Sequence, residues 1–510
     1  FGRLIQPLVI LSLMLFGFLA FAGLMKAVQT FLGEIIQRRL FARVAADLAY
    51  RFPRVSQSSL DGVYGPELAN RFFDIVTLQK VVAQLLLDGI TIVLATIVGM
   101  AVLAFYHPWL LGFDVLLLLI VVGGVFALGR GAISTGIDES KQKYRLASWL
   151  EDVIRFPIGF KTSGAAEFAL DRANLVTSSY LDTRRTHFEI LFRQRLFLLG
   201  LQALAGTVLL GFGGWLVIQG QLTIGQLVAA ELIVAMILNS LTKMGKHIEG
   251  VYDVVAAVDK LGYLFDLSIE PQDGLLSFRT DEGVRLRITD VSDRDADAWL
   301  AKGLSLEMEA GEQVVLLSSE NAGANALFDI LYGLRATDSG HVMIENADPR
   351  DLRPDILRKA VALVRGVEIF EGTIAENVHL GRAAISMTDV RGALDLVGLL
   401  DDVLRLPQGL ETELKPAGTQ LLATHRQLLM FARAIAGRPR LLLIYGALDP
   451  LGDGQLRRVC TTLQELTQQC TLLIATNRRA VAEKFEKVIL IDSPDQSGDD
   501  LRGGDSGVVA

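Results

Sequence analysis

Cysteine is almost absent from this sequence, and histidine is rare. The 510 residues include two cysteines, Cys460 and Cys470, and six histidines. Two cysteines do not make a disulfide framework, and no cluster of cysteine and histidine has the spacing of a metal site. The sequence therefore predicts a protein suited to a reducing cytosol, with no bound metal.

The chain also lacks a basic patch. Its formal net charge is −8, and the excess of negative charge lies in the second half. Residues 1–267 carry 23 Lys and Arg against 20 Asp and Glu, whereas residues 268–510 carry 26 against 37. An acidic half without a basic stripe argues against nucleic-acid binding.

Long apolar runs are abundant in the first half. Half of the sequence is apolar, which is a high fraction for a soluble protein. A membrane-spanning helix needs about 20 predominantly apolar residues, and five segments meet that length. They are residues 4–36, 78–105, 109–128, 196–219 and 224–241.

Charge in the connections between these segments predicts their orientation. The short connections, YHPW and IQGQLT, carry no Lys or Arg. The long connections, 37–77 and 129–195, are rich in basic residues, and residues 129–195 include eleven Lys and Arg. Positive connections stay on the cytoplasmic side, so the two long connections and the C-terminal half are expected in the cytoplasm. Residue 1 would then be outside, and we expect an earlier span before it. Amphipathic spacing in the long connections predicts helices that continue about 35–40 Å beyond the bilayer.

Three ionisable residues lie in or near the spans. Asp88, Asp114 and Glu231 are candidates for a substrate path, since charges inside a membrane are costly. Snorkelling to the surface, or a pairing of Asp88 with Lys80, is the alternative.

The second half has the pattern of an α/β domain. A polar linker at 268–283 precedes short apolar runs that alternate with helical stretches. Continuous apolar strands separated by helices predict a mostly parallel sheet covered on both faces. Residues 496–510 are expected to form a disordered tail. The runs are VRLRITDV, QVVLLSS, HVMIEN, AVALVRG, RLLLIY, TLLIATN and KVILID.

Several framework stretches resemble the ABC transporter family. FEGTIAENV, FARAIAGRPRLLLIY and DILYGLRATDSGHVMIEN are similar to its nucleotide-binding domain, and GWLVIQGQLTIGQLVAAELI resembles the span region of type I secretion (hemolysin-type) exporters. The resemblance implies a half-subunit with a polytopic α-helical membrane domain at 1–267, five spans present and the first missing. An α/β P-loop NTPase-like domain would follow at 284–495.

The phosphate-binding loop of that family departs from its pattern here. In the family, backbone N–H groups cradle phosphate, a lysine neutralises the β and γ charges, and a hydroxyl holds Mg²⁺. Ala324 stands at the lysine position, and Glu320 adds a negative charge that would repel phosphate by about 1 kcal/mol in water at 4 Å. The residues at the loop positions are Ser318, Glu320, Asn321, Gly323, Ala324, Asn325 and Ala326.

The other nucleotide motifs depart as well. By the resemblance, the Mg²⁺-binding aspartate falls on Tyr445, the catalytic glutamate on Gly446 and the switch histidine on Asn477. The glutamine that links nucleotide to the membrane domain falls on Arg365. That arginine could belong to a different ligand site with Glu320 and Tyr445, but an internal pairing with a carboxylate is favoured.

The family's signature sequence is also changed. It reads LLATH at 421–425, where Leu422 and Ala423 replace a hydroxyl and a glycine that would approach the partner's nucleotide. No aromatic residue of SDRDAD, 292–297, matches the adenine-stacking position. His425 is expected to be a surface residue rather than a ligand.

These departures predict a folded domain that binds neither ATP nor Mg²⁺ at its own motifs and is not an enzyme. The favoured function is a non-catalytic subunit of an export or protein-secretion assembly in a bacterial-type inner membrane. Its partner would be a second half-transporter, in a heterodimer with a competent ATPase or in a homodimer. The alternatives are a homodimeric pseudo-transporter that acts as a membrane scaffold or receptor, and a working ATPase with unusual motifs.

Overall fold

The chain folds into two units in a computed structural model. The structure describes residues 5–60, 68, 70–106, 108–276, 283–295, 298–318, 322–466 and 469–491. One unit consists of Phe1–Val55 and Ser59–Ser268, and the other of Ser56–Ser58 and Ile269–Ala510. The predicted tail at 496–510 and residues 277–282 of the predicted linker lie outside the described residues.

The first unit is helical. Its long helices carry the apolar segments that the sequence singles out, and two short helices lie between them. The helices are α1 (Ile5–Arg51), α2 (Gln57–Leu60), α3 (Asp74–Tyr106), α4 (Pro108–Leu128), α5 (Ala132–Arg155), α6 (Pro157–Thr162), α7 (Ala166–Ile218) and α8 (Ile224–Asp266).

Four of the described helices are long and apolar enough to cross a membrane, namely α1, α3, α4 and α7. Helix α8 contributes a shorter apolar stretch, Ile224–Ile237. It begins at a capping box in which Thr223 accepts from the backbone of Gln226 and the Gln226 side chain accepts from Thr223. At 1.5 Å per residue the 53 residues of α7 extend about 80 Å, far more than a bilayer requires.

Packing within this unit joins the helices at two levels. Among the apolar segments, Leu103, Leu198 and Ile237 belong to one buried cluster. Nearer the ends of α1 and α8, Leu48 and Leu264 belong to another. Many side chains outside these clusters are large, apolar and exposed, as expected of helices that lie in lipid.

The second unit is built on a five-stranded parallel sheet in the order β10-β3-β9-β8-β5. Its strands are the continuous apolar runs of the sequence, and β9 is buried along its whole length. The strands are β3 (Gln313–Ser318), β5 (Val361–Val364), β8 (Leu441–Tyr445), β9 (Thr471–Thr476) and β10 (Lys487–Ile491).

A separate antiparallel sheet was not predicted. It has the order β2-β1-β4, formed by β1 (Leu286–Asp295), β2 (Ala298–Met308) and β4 (Ser339–Ile344). Residues of β1 alternate between buried and outward positions, with Leu286 and Ile288 in the core. A short two-stranded sheet pairs β6 (Gly372–Thr373) with β7 (Glu413–Leu414).

Helices of the second unit pack against these sheets and complete two cores. Phe328 and Phe431 are among their largest fully buried side chains. The helices are α9 (Ala322–Leu331), α10 (Pro354–Ala360), α11 (Ile374–His379), α12 (Met387–Leu396), α13 (Leu400–Leu404), α14 (Ala423–Ala436), α15 (Asp453–Glu465) and α16 (Arg479–Ala482).

Candidate functional site

The candidate site lies at the carboxyl edge of the parallel sheet. Strands β3, β5, β8 and β9 run in the same direction, so the segments that follow them meet at one edge. Ligands of open α/β sheets bind at this edge. Most of the motif positions singled out in the sequence follow these four strands, so the topology brings them to the same edge.

The loop after β3 leads into α9. Glu320 and Asn321 lie outside the described residues, and only the backbone is described at Ser318 and Gly323. Ala324 and Ala326 are buried, with 1% and 3% of their surface exposed. Ala324 belongs to the same apolar cluster as Phe328, so its methyl group contributes to the core.

Arg365 is anchored to α9. Its Nη1 donates to Oδ1 of Asp329 at 2.6 Å and to Oδ1 of Asn325 at 3.2 Å. Asn325 and Asp329 are four residues apart and share a face of the helix. This contact is the internal carboxylate pairing that the sequence favours for Arg365.

Tyr445 and Gly446 end β8. The Tyr445 ring packs beside the Phe328 ring, with 6.0 Å between the centroids, and burial raises the pKa of its hydroxyl. Gly446 has φ +59°, a left-handed conformation that favours glycine over glutamate. Its N–H donates to the carbonyl of Ala475 on β9. The backbone here therefore suits the residue that the chain carries.

Asp449 links the ends of β8 and β9, although no sequence motif singled it out as a site residue. Its carboxylate accepts from the hydroxyl of Thr476 and from the backbone N–H of Asn477. Burial raises the pKa of Asp449, and these two hydrogen bonds oppose that rise. The Arg478 guanidinium donates to the carbonyl of Leu451 at 2.7 Å. Asn477 thus holds the loop after β8 through its backbone.

The signature segment lies at the start of α14. Leu422 is 65% exposed, and Ala423 is the first residue of the helix. His425 lies with Nε2 3.5 Å from a carboxylate oxygen of Asp402, and its side chain is largely covered. The segment therefore presents an apolar side chain to its surroundings where the family has a serine.

The described residues of this edge do not supply the side chains that a magnesium nucleotide uses in the family. Ala324 carries no amine, and neither Tyr445 nor Gly446 offers a carboxylate. Among the described residues there is no group of three His, Cys, Asp or Glu side chains placed to hold a metal ion. The conventional ligand set for a magnesium nucleotide therefore does not fit the described side chains of this edge.

The ionisable residues of the spans have different surroundings. Asp88 pairs with Lys26 at 3.5 Å and lies 3.9 Å from Nε2 of His247, so its observed partners are not Lys80. Asp114 on α4 is 3% exposed, and neither carboxylate oxygen has a hydrogen-bond partner among the described residues.

In chain order, a helical unit with four helices long enough to span a membrane among its described residues precedes a parallel α/β unit. Residues 301–445 match the family model described as ABC transporter. An ATP-dependent lipid A-core flippase of Methylococcus capsulatus is 24% identical over 525 residues, covering 96% of this chain and 84% of the flippase.

Two further comparisons bear on the fold. An ATP-dependent lipid A-core flippase of Francisella novicida is 24% identical over 53% of this chain, a match that spans about half, 46%, of that protein's length. The solved structure of a bacterial Atm1-family ABC exporter with ATP bound superposes with a TM-score of 0.82, at 19% identity, over 96% of this chain and 86% of the exporter. The chain has the fold of an ABC exporter half-subunit. It is an inner-membrane protein with its α/β unit in the cytoplasm.

These comparisons correct three predictions. It was wrong to predict a non-catalytic subunit or, as the alternative, a pseudo-transporter. It was also wrong to predict that the chain is not an enzyme and does not use ATP. Relatives are named ATP-dependent flippases, and the superposed exporter has ATP bound. The predictions relied on side-chain identity at a few positions. Phosphate binding also draws on backbone N–H groups and on helix N-termini, which side-chain substitution leaves in place.

Proposed function

We propose that this chain is one half-subunit of a dimeric, ATP-dependent exporter that moves a lipid-class amphiphile across the inner membrane. The observation that supports the proposal best is the end-to-end match to a relative named as a lipid A-core flippase. That match covers the membrane unit as well as the α/β unit, so the likeness is not limited to the nucleotide domain. The proposal divides the chain into a membrane domain at 1–267, a linker at 268–283, a nucleotide domain at 284–495 and a tail at 496–510.

The architecture supports an export function. Helices α1, α3, α7 and α8 are each longer than a bilayer crossing and continue into a cytoplasmic extension. Rigid helices of this length transmit a displacement from one end to the other. A half-subunit supplies one half of such a path, so a second half-subunit completes it.

A lipid cargo is proposed in preference to a polypeptide. Similarity to type I secretion exporters suggested a polypeptide, whereas the relatives that match most of the chain are named for a lipid. The exposed surface of the membrane helices is apolar over long stretches, as in any lipid-facing bundle, and does not choose between the two cargoes. The choice therefore depends on the relatives.

The substituted motif positions are part of this proposal. We expect Ala324, Tyr445 and Gly446 to contribute packing and backbone geometry rather than lysine or carboxylate chemistry. ATP dependence would then draw on backbone groups of this chain and on motif residues that the second half-subunit provides. That all of the motif positions named in the sequence are degenerate remains a prediction.

Cargo-stimulated ATP hydrolysis tests the proposal. The tagged full chain would be purified from its native membranes with whatever half-subunit accompanies it, and ATPase activity measured in nanodiscs. We expect a phosphorylated glycolipid to stimulate hydrolysis several-fold and an unfolded polypeptide to leave it unchanged. Stimulation by the polypeptide alone would overturn the lipid assignment, and the absence of hydrolysis with either cargo would overturn the ATP-dependent function.

A further inference from the structure

Three arginines lie where two membrane helices leave the bilayer, and we call them the interface arginines. Arg130 follows the apolar segment of α4, and Arg193 and Arg195 precede that of α7. Helix α8 leads from the bilayer to the cytoplasmic α/β unit, so the short turn between α7 and α8 is external and the arginines are on the cytoplasmic side. They are therefore level with the headgroups of the inner leaflet.

Helices α4 and α7 are in contact at this level. Nε2 of Gln194 donates to the carbonyl of Val125 at 3.0 Å. A Cβ added at Gly129 would lie 2.6 Å from the same Nε2, so the Gln194 amide lies against the backbone just after α4. Gln194 is buried, whereas the arginines before and after it on α7 are exposed, as is Arg130. Because successive residues of a helix are about 100° apart, the two arginines of α7 flank the buried contact.

The interface arginines are free within the described part of the chain, where none has an ion pair, a hydrogen bond or an aromatic ring as its partner. Other cations of this unit are paired. Arg185 on α7 lies 3.3 Å from a carboxylate oxygen of Glu189. Lys260 on α8 lies 3.6 Å from Asp74, and burial lowers its pKa to about 8. Arginine stays charged at physiological pH, so the counter-charge of the interface arginines comes from solvent or from the bilayer.

Exposed apolar side chains lie on the bilayer side of the interface arginines. Phe126 is 77% exposed and lies four residues before Arg130, towards the bilayer. Leu199 is 46% exposed and lies four residues after Arg195, on the same face of α7. An acyl chain can lie against Phe126 and Leu199 while its headgroup reaches the guanidinium groups.

We propose that the interface arginines bind the phosphate of an anionic phospholipid of the inner leaflet, such as phosphatidylglycerol. Guanidinium groups bind phosphate in a bidentate manner, and basic groups between membrane helices on the cytoplasmic side suit such headgroups. A soluble phosphate carries the same charge but gains nothing from Phe126 and Leu199, so these side chains favour the lipid. The inference goes beyond the proposed function, because neither cargo nor ATP enters the argument.

Native mass spectrometry of the full chain, with the half-subunit that accompanies it, tests the proposal. The protein in detergent would be titrated separately with dioleoyl phosphatidylglycerol and dioleoyl phosphatidylcholine. Release of this chain from its partner in the spectrometer assigns the bound lipid to it. Each basic residue near a membrane surface contributes about fivefold in affinity. R130Q is therefore expected to weaken phosphatidylglycerol binding about fivefold and R193Q/R195Q about 25-fold, with phosphatidylcholine binding unchanged.

R185Q is the matched control, since it removes the same charge as R130Q. Arg185 is 80% exposed and paired with Glu189, and it lies eight residues before Arg193, about 12 Å further from the bilayer. R185Q should change phosphatidylglycerol binding by less than about twofold. All of these side chains are exposed, so unchanged thermal midpoints are expected and show that the variants are folded.

Several outcomes would overturn the assignment. Equal binding of the two lipids by wild type, unchanged binding by R193Q/R195Q, or an R185Q loss as large as that of R130Q would exclude a site at the interface arginines. Binding of the free headgroup glycerophosphoglycerol at the same concentration as the lipid would indicate a soluble anion. Displacement of phosphatidylglycerol by an equimolar phosphorylated glycolipid would indicate a cargo site.

Discussion

Arg365 and Asp329 form an ion pair across the candidate nucleotide edge, with 2.6 Å between Nη1 and Oδ1. The pair joins the segment after β5 to α9, two elements that are well separated in the sequence. The Asp329 side chain is 14% exposed and that of Arg365 is 32% exposed, so solvent screens the contact only in part. The position that in related exporters is expected to contact nucleotide is therefore held by a partner within this chain.

Loss of this ion pair is expected to destabilise the α/β unit. Asp329→Ala leaves a partly buried guanidinium with Asn325 as its remaining acceptor among the described residues, at a cost of about 1–2 kcal/mol. At about 2–4 °C per kcal/mol for a unit of this size, the thermal midpoint of the full chain should fall by several degrees.

Asp395→Ala is the control for that measurement. Asp395 lies 3.7 Å from Arg458, and both side chains are more than half exposed. Exposed pairs of this kind contribute little, so the control should shift the midpoint by less than about 1 °C. Equal shifts in the two variants would show that the Arg365 contact is no stronger than a surface pair.

Lys260 is expected to give the unfolding transition a pH dependence. Its folded pKa is about 8, below its ordinary value of 10.5, so between these values the unfolded chain binds more protons than the folded chain. The contribution of Lys260 to stability therefore rises as the pH increases from 8 towards 10. Tyr144, whose pKa is raised by burial, acts in the opposite direction only above pH 10.

Comparison with Lys260→Met isolates this effect. The difference between the thermal midpoints of wild type and K260M should move in favour of wild type as the pH increases from 7.5 to 9.5. The measurement is a series of thermal scans of both proteins in matched buffers. Parallel curves for the two proteins would contradict the lowered pKa.

Two adjacent glycines on α4 should respond differently to alanine. A Cβ added at Gly124 would overlap the ring of Phe197 on α7, whereas one at Gly123 has no heavy atom within 4 Å. Gly124→Ala should therefore displace the ring or separate the helices, at a cost of about 1–3 kcal/mol. Gly123→Ala should be neutral or slightly stabilising, because alanine favours helix.

The glycine pair is measured by thermal stability of each variant in detergent and by its yield from membranes. A lower midpoint for Gly124→Ala alone is expected. Equal behaviour of the two variants would mean that Phe197 moves aside without loss, and that α4 and α7 do not depend on close approach at this point.

Phe328 is expected to be the largest single contributor to the core below the candidate site. It is fully buried in the cluster that includes Ala324, and its ring lies beside that of Tyr445. Phe328→Ala should cost about 3–5 kcal/mol and expose the α/β unit to proteolysis. Phe370→Ala, at a side chain that is 43% exposed, is the control and should leave the proteolysis rate within about twofold of wild type.

Strands with continuous apolar runs were the most predictable part of this fold. QVVLLSS, RLLLIY and TLLIATN correspond to β3, β8 and β9, because a strand buried on both faces must be apolar along its length. The antiparallel sheet of β1, β2 and β4 was not predicted. Its strands are mixed in polarity, and the pairing of β1 with β4 joins segments that lie far apart in the sequence.

The sequence also did not predict which residues contact Arg365 and Tyr445 at the candidate site. Motif spacing placed Arg365 and Tyr445 near the sheet edge, but it did not identify Asp329 or Asp449 as their neighbours. Those contacts join elements that only the topology brings together. Inference of activity from substituted motif residues was wrong for a related reason, because it gave the side chains at those positions more weight than the backbone groups that also bind phosphate.

Movement of a fluorescent lipid across reconstituted vesicles tests the central claim most directly. The full chain, with the half-subunit that accompanies it, would be reconstituted, and a labelled phosphorylated lipid followed by chemical quenching at the vesicle surface. The account predicts that Mg²⁺-ATP added outside the vesicles, where it reaches outward-facing nucleotide domains, increases the fraction of label protected from quenching several-fold faster than a non-hydrolysable analogue. Equal rates with ATP, with the analogue and in protein-free vesicles would contradict it.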